Sequence, residues 1–310
     1  MPETIPPAPT YPAIRVTLPS GGHLDAPAGT PVKGLLSSSC ASSGLPFLGA
    51  LINNDVCSMS YPVDWDCRLE PLTFADRHGF RIYRRSLAFL LAKAVRDVFP
   101  DADFCIEHAI SKGFYCEFTH DDTAGMSDAQ AKDLLAHMQQ MVDADLPIVR
   151  RSMSFEQVVD RLTSSHQEDK LNLLQFRNPP KLITFHLGDF MDLDQGVMAP
   201  STGCLPQFNI IPYQGGCILQ FPEWGEDTMA LPAFHDLPHL FDIFQEHKRW
   251  GRVIGQNTVG DLNATVMQGE LTDLIRTSEA FHEKKLGYAA DAISDHRDRL
   301  KWLLIAGPSS

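Results

Sequence analysis

Near Arg81 the chain switches from one hydrophobic period to another, and that switch constrains the fold more than any other feature. Leu87, Leu90, Leu91, Ala94, Val95 and Val98 recur at i, i+3, i+4, i+7, i+8 and i+11, the one-sided stripe of an amphipathic helix. Pro100 stops it. Upstream, Ile14, Val16 and Leu18 alternate with polar residues, the period of a half-buried strand. A chain that carries both patterns in separate blocks is expected to fold as α+β.

The strand-rich block spans 13–80. Ser20-Gly21-Gly22 predicts a hairpin turn between two short strands within 13–27. Pro31–Leu36 suits a helical turn, Phe47–Ile52 a strand, Asn53-Asn54-Asp55 a turn, and Cys67–Leu72 a last strand. Strand, strand, helix, strand, strand is the order of a β-grasp module. Residues 1–12 are Pro-rich and read as a disordered lead-in.

An α+β domain is expected over 81–225. After the first helix come strands at Phe104–Ile106 and Phe114–Phe118, then a helix over Ser127–Val142 with Ser127 as its N-cap. Further helices are predicted at Ser154–Leu162 and His166–Gln175, and strands at Leu182–Phe185 and Cys217–Phe221. Residues 226–300 read as a helical connector, with helices at His239–Lys248 and within Gly269–Ser294. The apolar run Lys301–Ala306 suits a buried parallel strand.

Charge and cysteine usage narrow the function classes. The 310 residues carry 26 basic and 39 acidic side chains, a net charge of -13. Such a surface repels phosphate at long range, so autonomous nucleic-acid binding is disfavoured, and with it tRNA or the ribosome as partners. No apolar run approaches the ~20 residues of a membrane helix, and the N-terminus lacks signal-peptide character. The seven cysteines are odd in number and no two are spaced C-x-x-C. This pattern fits reduced thiols in a cytoplasmic protein and gives no structural zinc site.

The residues that could carry chemistry are few. An apolar strand followed by Gly307-Pro308-Ser309-Ser310 is how a phosphate-binding P-loop begins, but only the first four positions of that motif are present. Without the second glycine, the lysine and the Mg²⁺-binding hydroxyl, no phosphate transfer is expected from this chain. His235 and His239 are four apart, yet Pro238 lies between them, which argues against a helical metal pair. His282-Glu283-Lys284-Lys285 follow Ala280 and Phe281, which are expected to face the core. Such a tetrad is more often a solvated face than a ligand groove. Cys116 and Cys204 are potential nucleophiles without an evident histidine partner in sequence, and buried structural cysteine is the commoner case. His108 and His186 read as strand-end or core histidines.

Two family resemblances follow from these motifs. Ile14–Gly21, Gly29–Val32 and Ala50–Asn54 resemble a TGS domain, the β-grasp module at the start of threonyl-tRNA synthetase. Tyr83–Ala92, Gly113–Phe118, Asp192–Met198 and Pro200–Gly203 resemble that synthetase's editing domain. The resemblance implies an H-x-x-x-H pair on the first helix and a Cys and His in the later segment. Here those four positions hold Arg85, Phe89, Asp194 and Met198. Arginine, phenylalanine and methionine cannot position water as an imidazole does, so aminoacyl-tRNA hydrolysis is not expected. Arg85 and Asp194 are expected to pair instead.

A second resemblance spans 13–310. Arg85–Leu91, Gly113–Glu117, Pro200–Gly203, Gly260–Asn263, Glu279–Lys285 and Leu304–Ser310 are similar, in order, to motifs of TGS-containing uridine kinase-like nucleoside kinases. It implies the non-catalytic N-terminal region of an ATP-dependent kinase, cut at the start of the P-loop. ATP and Mg²⁺ would serve the full-length family, and no cofactor this chain. Gly307, Pro308, Ser309 and Ser310 would be its only nucleotide-binding positions, with no catalytic residue and no metal ligand. The degenerate editing cleft would involve Arg85, Phe89, His108, Cys116, Asp194 and Met198, and would hold a small molecule or nucleotide. The alternatives are a trans-editing hydrolase of mischarged tRNA, or a TGS-mediated ribosome- or partner-binding scaffold.

Overall fold

The structure, a computed structural model, describes residues 13–36, 40–177, 179–224 and 229–305. The Pro-rich 1–12 and the P-loop-like Gly307–Ser310 lie outside the described residues. The protein is mixed α+β. It divides into two compact units, one built from the chain up to Ser154 together with Lys181–Leu240, the other from Phe155–Pro180 and the chain from Phe241 on.

The first unit opens with a five-stranded sheet. β1 (Ala13–Thr17) and β2 (His23–Pro27) form the predicted hairpin. A two-stranded ribbon flanks it, made of β3 (Thr30–Pro31) and, later in the chain, Pro62–Val63. The short helix α1 (Val32–Leu35) follows β3. β4 (Gly49–Ile52) turns through Asn53 and Asn54, both at positive φ, into β5 (Asp55–Cys57). Two consecutive left-handed residues make the tight hairpin whose twist matches its strands. The turn was legible in sequence and the strand after it was not. The ribbon partner Pro62–Val63 is β6, and β7 is Cys67–Leu72. The order is β2-β1-β7-β4-β5, with β1 and β7 parallel at the centre. Ile14, Val16, Val32, Leu35, Ala50, Ile52 and Leu69 close its core.

The helical stripe forms α2 (Arg77–Val98), which starts four residues before the predicted Arg81. Its N-cap is Asp76, whose carboxylate caps no helix amide and instead accepts from the Thr73 amide (2.6 Å) and hydroxyl (3.0 Å) in the loop before it. The second sheet contains β8 (Asp103–Ile110), β9 (Gly113–His120) and β10 (Thr123–Ala124). Next comes α3 (Asp128–Asp143), capped by Ser127 in a reciprocal capping box with Gln130. A third sheet begins with β11 (Val149–Ser154).

The next two helices, α4 (Phe155–Ser164) and α5 (Glu168–Leu174), belong to the second unit and not to the α+β block that contained them in the sequence reading. The chain then returns through β12 (Lys181–Leu187) and β13 (Phe190–Leu193), giving the antiparallel order β11-β12-β13. β14 (Asn209–Tyr213) and β15 (Gly216–Gln220) complete the second sheet in the order β10-β9-β15-β14, with β8 also on β9. Pro212 cannot donate to a ladder, and β14 stands at the edge where that is tolerated. Leu87, Leu90 and Leu91 of α2, Leu134 and Met138 of α3, and Cys116, Phe118, Cys217 and Leu219 of the sheet form one continuous core.

In the second unit α6 (Pro238–Val253), α7 (Val259–Gln268) and α8 (Leu271–Asp295) join α4 and α5. α7 was not predicted; Thr258 and Asp261 cap it reciprocally, and Gly269 closes it in the left-handed conformation. Of the predicted strand at Lys301–Ala306, Ala306 lies outside the described residues, and 301–305 have no strand pairing within the described residues. Trp302, Leu304 and Ile305 are respectively 88%, 95% and 89% exposed. A parallel strand exists only through hydrogen bonds to neighbours on its edges.

Candidate functional site

One face of α2 lines a cleft. Arg81, Arg84, Arg85, Ala88, Phe89 and Ala92 sit at i, i+3, i+4, i+7, i+8 and i+11 and form one wall. Asp192 and Leu193 at the end of β13, followed by Gln195 and Met198, form another, while Ile106 of β8 and Phe114 of β9 contribute from the second sheet. The cleft holds about 520 Å³, within the range of small-molecule sites.

Buried hydrogen bonds hold the two main walls in place. The Ser86 hydroxyl donates to the Ile82 carbonyl (2.8 Å) and accepts from the Ala199 amide (2.7 Å). Tyr83 bonds Gln207 in both directions, donating to its carbonyl (2.7 Å) and accepting from its amide (3.0 Å). Arg85 donates through Nη1 to the Val197 carbonyl at 2.6 Å. Gly196 has φ +112°, and a Cβ there would meet the Arg85 guanidinium at 2.9 Å.

The arginines are held differently. Arg84 lies against three ring faces, its guanidinium carbon 4.8 Å from the Phe80 centroid, 5.1 Å from Phe114 and 5.6 Å from Phe221. Its Nε is buried with no hydrogen-bond partner. Burial, then Arg81, then Arg85 push the Arg84 pKa down. Burial also lowers Arg85; Asp194 works against that shift and Arg81 adds to it. Arg84 and Arg85 nonetheless stay cationic at neutral pH.

Arg85, Phe89 and Met198 all line this cleft. Asp194 stands beside it; its Oδ1 accepts from the Gly196 amide (2.6 Å) and its Oδ2 lies 4.0 Å from Arg150 Nε. The expected Arg85–Asp194 pair is therefore an electrostatic influence, and the Arg85 hydrogen bond goes to Val197 instead. Cys116 and His108 do not line the cleft. Cys116 is wholly buried in the core, and contact with Cys217, then burial, push its thiol well up. His108 is exposed on β8 just past a register shift after Ile106, which turns the strand so that Ile106 lines the cleft and His108 does not. Arg81 and Arg84 were missed by sequence reasoning, although their spacing from Arg85 on one helix was a usable signal.

The other candidates lie elsewhere. His186 is buried, its Nε2 2.9 Å from the Thr184 hydroxyl. Cys204 lies in a short turn at Thr202–Cys204, and burial raises its thiol. Pro238 is the first residue of α6, so the helix begins between His235 and His239 and they share no helical face. Among the described residues no three His, Cys, Asp or Glu side chains group to hold a metal. On α8, Lys285 pairs with Glu246 and Phe281 stacks on Trp250 at 5.5 Å between centroids. Ala280 is exposed rather than core-facing, because α8 has no buried side chain among the described residues. No helix among the described residues is long and apolar enough to cross a membrane.

Comparison with known proteins shows what the chain is similar to. No family model matches the chain. The threonine--tRNA ligase of Desulforamulus reducens is 30% identical over 253 residues, which cover 78% of this chain and 39% of that protein. That of Acetivibrio thermocellus is 29% identical over 203 residues, 65% of this chain and 32% of its own length. Threonine--tRNA ligase 1 of Bacillus subtilis is 28% identical over 203 residues, 65% of this chain and 31% of its own. The chain thus spans less than half the length of each of these relatives. Over the part they share, it carries a threonyl-tRNA synthetase-like domain.

Proposed function

We propose that the synthetase-like domain is a binding module of editing-domain type that has lost hydrolysis, preceded by a TGS module at 13–80. One observation carries this reading: among the described residues the cleft is lined by three arginines, one aspartate, one glutamine and apolar side chains, with no serine, threonine, cysteine or histidine. Ester hydrolysis needs a nucleophile or a base that orients water, and neither a thiol nor an imidazole is at hand. Incubation of the chain with seryl-tRNA tests it. The expected result is release of serine at the uncatalysed rate, and accelerated release overturns the reading.

The similarity to threonine--tRNA ligases over 65–78% of the chain favours a second reading, trans-editing of mischarged tRNA with Asp192 as the water-orienting base. The same assay separates the two, because Asp192→Asn would abolish an accelerated release. The kinase context rests on the sequence resemblance alone. Its test is whether the coding sequence continues past residue 310 into a P-loop domain, and a stop codon there ends it.

A further inference from the structure

The guanidinium cluster is unusual for this chain. Arg81, Arg84 and Arg85 crowd one helix face of a protein whose net charge is -13. Like charges this close repel, and low-dielectric walls such as Phe89, Phe114 and Met198 strengthen that repulsion. Among the described residues only Asp192 lines the cleft with the opposite sign. Arg85 is held by Val197, but Arg81 and Arg84 make no hydrogen bond or ion pair among the described residues. Phe80, Phe114 and Phe221 fix the Arg84 plane, and its terminal nitrogens, unlike Nε, are not among the buried unpaired atoms. Arg84, held in plane with no internal acceptor, and the neighbouring Arg81 match an oxyanion brought from outside, which guanidiniums can take by paired N–H bonds. The apolar remainder of the wall has no use for a bare inorganic ion.

We infer that the α2 cleft is a binding site for a small organic anion, a phosphate monoester or carboxylate attached to an aromatic or aliphatic body, with Arg81, Arg84 and Arg85 as its anion-binding residues. The anionic group meets the three guanidiniums, and the body lies on Phe89, Leu193 and Met198. Arg84 cannot swing to follow the ligand, because three rings hold it, so the ligand is oriented by the protein. The inference rests on the non-hydrolytic reading and names the class of ligand that reading leaves open.

Calorimetric titration of the whole chain tests it with four probes: phenyl phosphate, benzoate, inorganic phosphate and benzyl alcohol. One or both organic anions should bind at one site, and the tighter of the two identifies phosphate or carboxylate as the preferred group. Inorganic phosphate should bind more weakly and benzyl alcohol not at all. Affinity should fall with added salt. Arg81→Gln should weaken the preferred anion about tenfold, by loss of a charge-assisted bond. Arg81 is exposed and holds nothing in the fold, so this variant stays folded. Ala92→Trp, which fills the cleft and keeps every charge, should abolish binding. Failure of both organic anions to bind, equal binding of benzyl alcohol, or unchanged affinity in Arg81→Gln overturns the inference. Accelerated seryl-tRNA hydrolysis ends the non-hydrolytic reading instead, so the two failures are distinct.

Discussion

The Ser86 hydroxyl joins Ala199 to α2, accepting from the Ala199 amide at 2.7 Å while it donates to Ile82 one turn earlier on its own helix. Both residues are buried, Ser86 at 0% and Ala199 at 1% exposure. A single hydroxyl thus satisfies a buried donor from the opposite wall of the cleft. Ser86→Ala leaves the Ala199 amide unpaired, which costs about 1–3 kcal/mol. Urea unfolding should show a lower midpoint with an unchanged slope; an unchanged midpoint would show that the bond contributes nothing.

Tyr83 makes stability depend on alkaline pH. Burial pushes its phenol well above the ordinary range, and burial followed by Glu117 does the same for Tyr115. The native state binds these protons more tightly than the unfolded chain does. Their contribution is therefore fully present below about pH 10, the unperturbed tyrosine value, and is lost as pH rises above it. Tyr83→Phe should cost about 1 kcal/mol at neutral pH, for the lost bonds to Gln207, and should flatten the alkaline decline. Denaturant titrations at a series of alkaline pH values check the slope.

Gly196 should tolerate no side chain. At φ +112° a Cβ is strained, and it would meet the Arg85 guanidinium at 2.9 Å. Gly196→Ala should lower stability by about 1–3 kcal/mol and displace Arg85 from the Val197 carbonyl. A thermal melt reads the first effect. Weaker organic-anion binding reads the second, and wild-type behaviour in both would contradict the geometry.

The thiols should react in order of burial. Cys105 is exposed, whereas Cys116 and Cys217 are wholly buried opposite each other on β9 and β15. The raised Cys116 thiol is a poor nucleophile at neutral pH. Iodoacetamide should label Cys105 in the native protein and reach Cys116 only after denaturation. Mass spectrometry locates the adducts, and native labelling of Cys116 at the Cys105 rate would reopen a catalytic role.

Elements with local causes were legible in the residues. The stripe from Leu87 to Val98 names the buried face of α2, and Ser127 with Gln130 names the start of α3. Within the cleft, Arg85, Phe89 and Met198 were reachable from the family pattern, because the helix repeat and one loop carry them. Arg81 and Arg84 were as legible by spacing, but the arginines of a helix face look solvated until an opposing wall is known.

What depended on partners distant in sequence was decided by tertiary structure alone. β14 carries Pro212 and was not predicted; it joins the sheet through β15, whose other side pairs with the distant β9. His108 and Cys116 left the cleft because a register shift in β8 and the core face of β9 turned them away. The apolar 301–305 has the composition of a strand, and among the described residues it pairs with none. By itself the sequence determined the helix faces and the caps, which depend on covalent order and local periodicity. The tertiary structure decided which strands exist and that three arginines meet an apolar wall. Those depend on hydrogen bonds and burial between separate elements, more than a hundred positions apart in the case of Ser86 and Ala199.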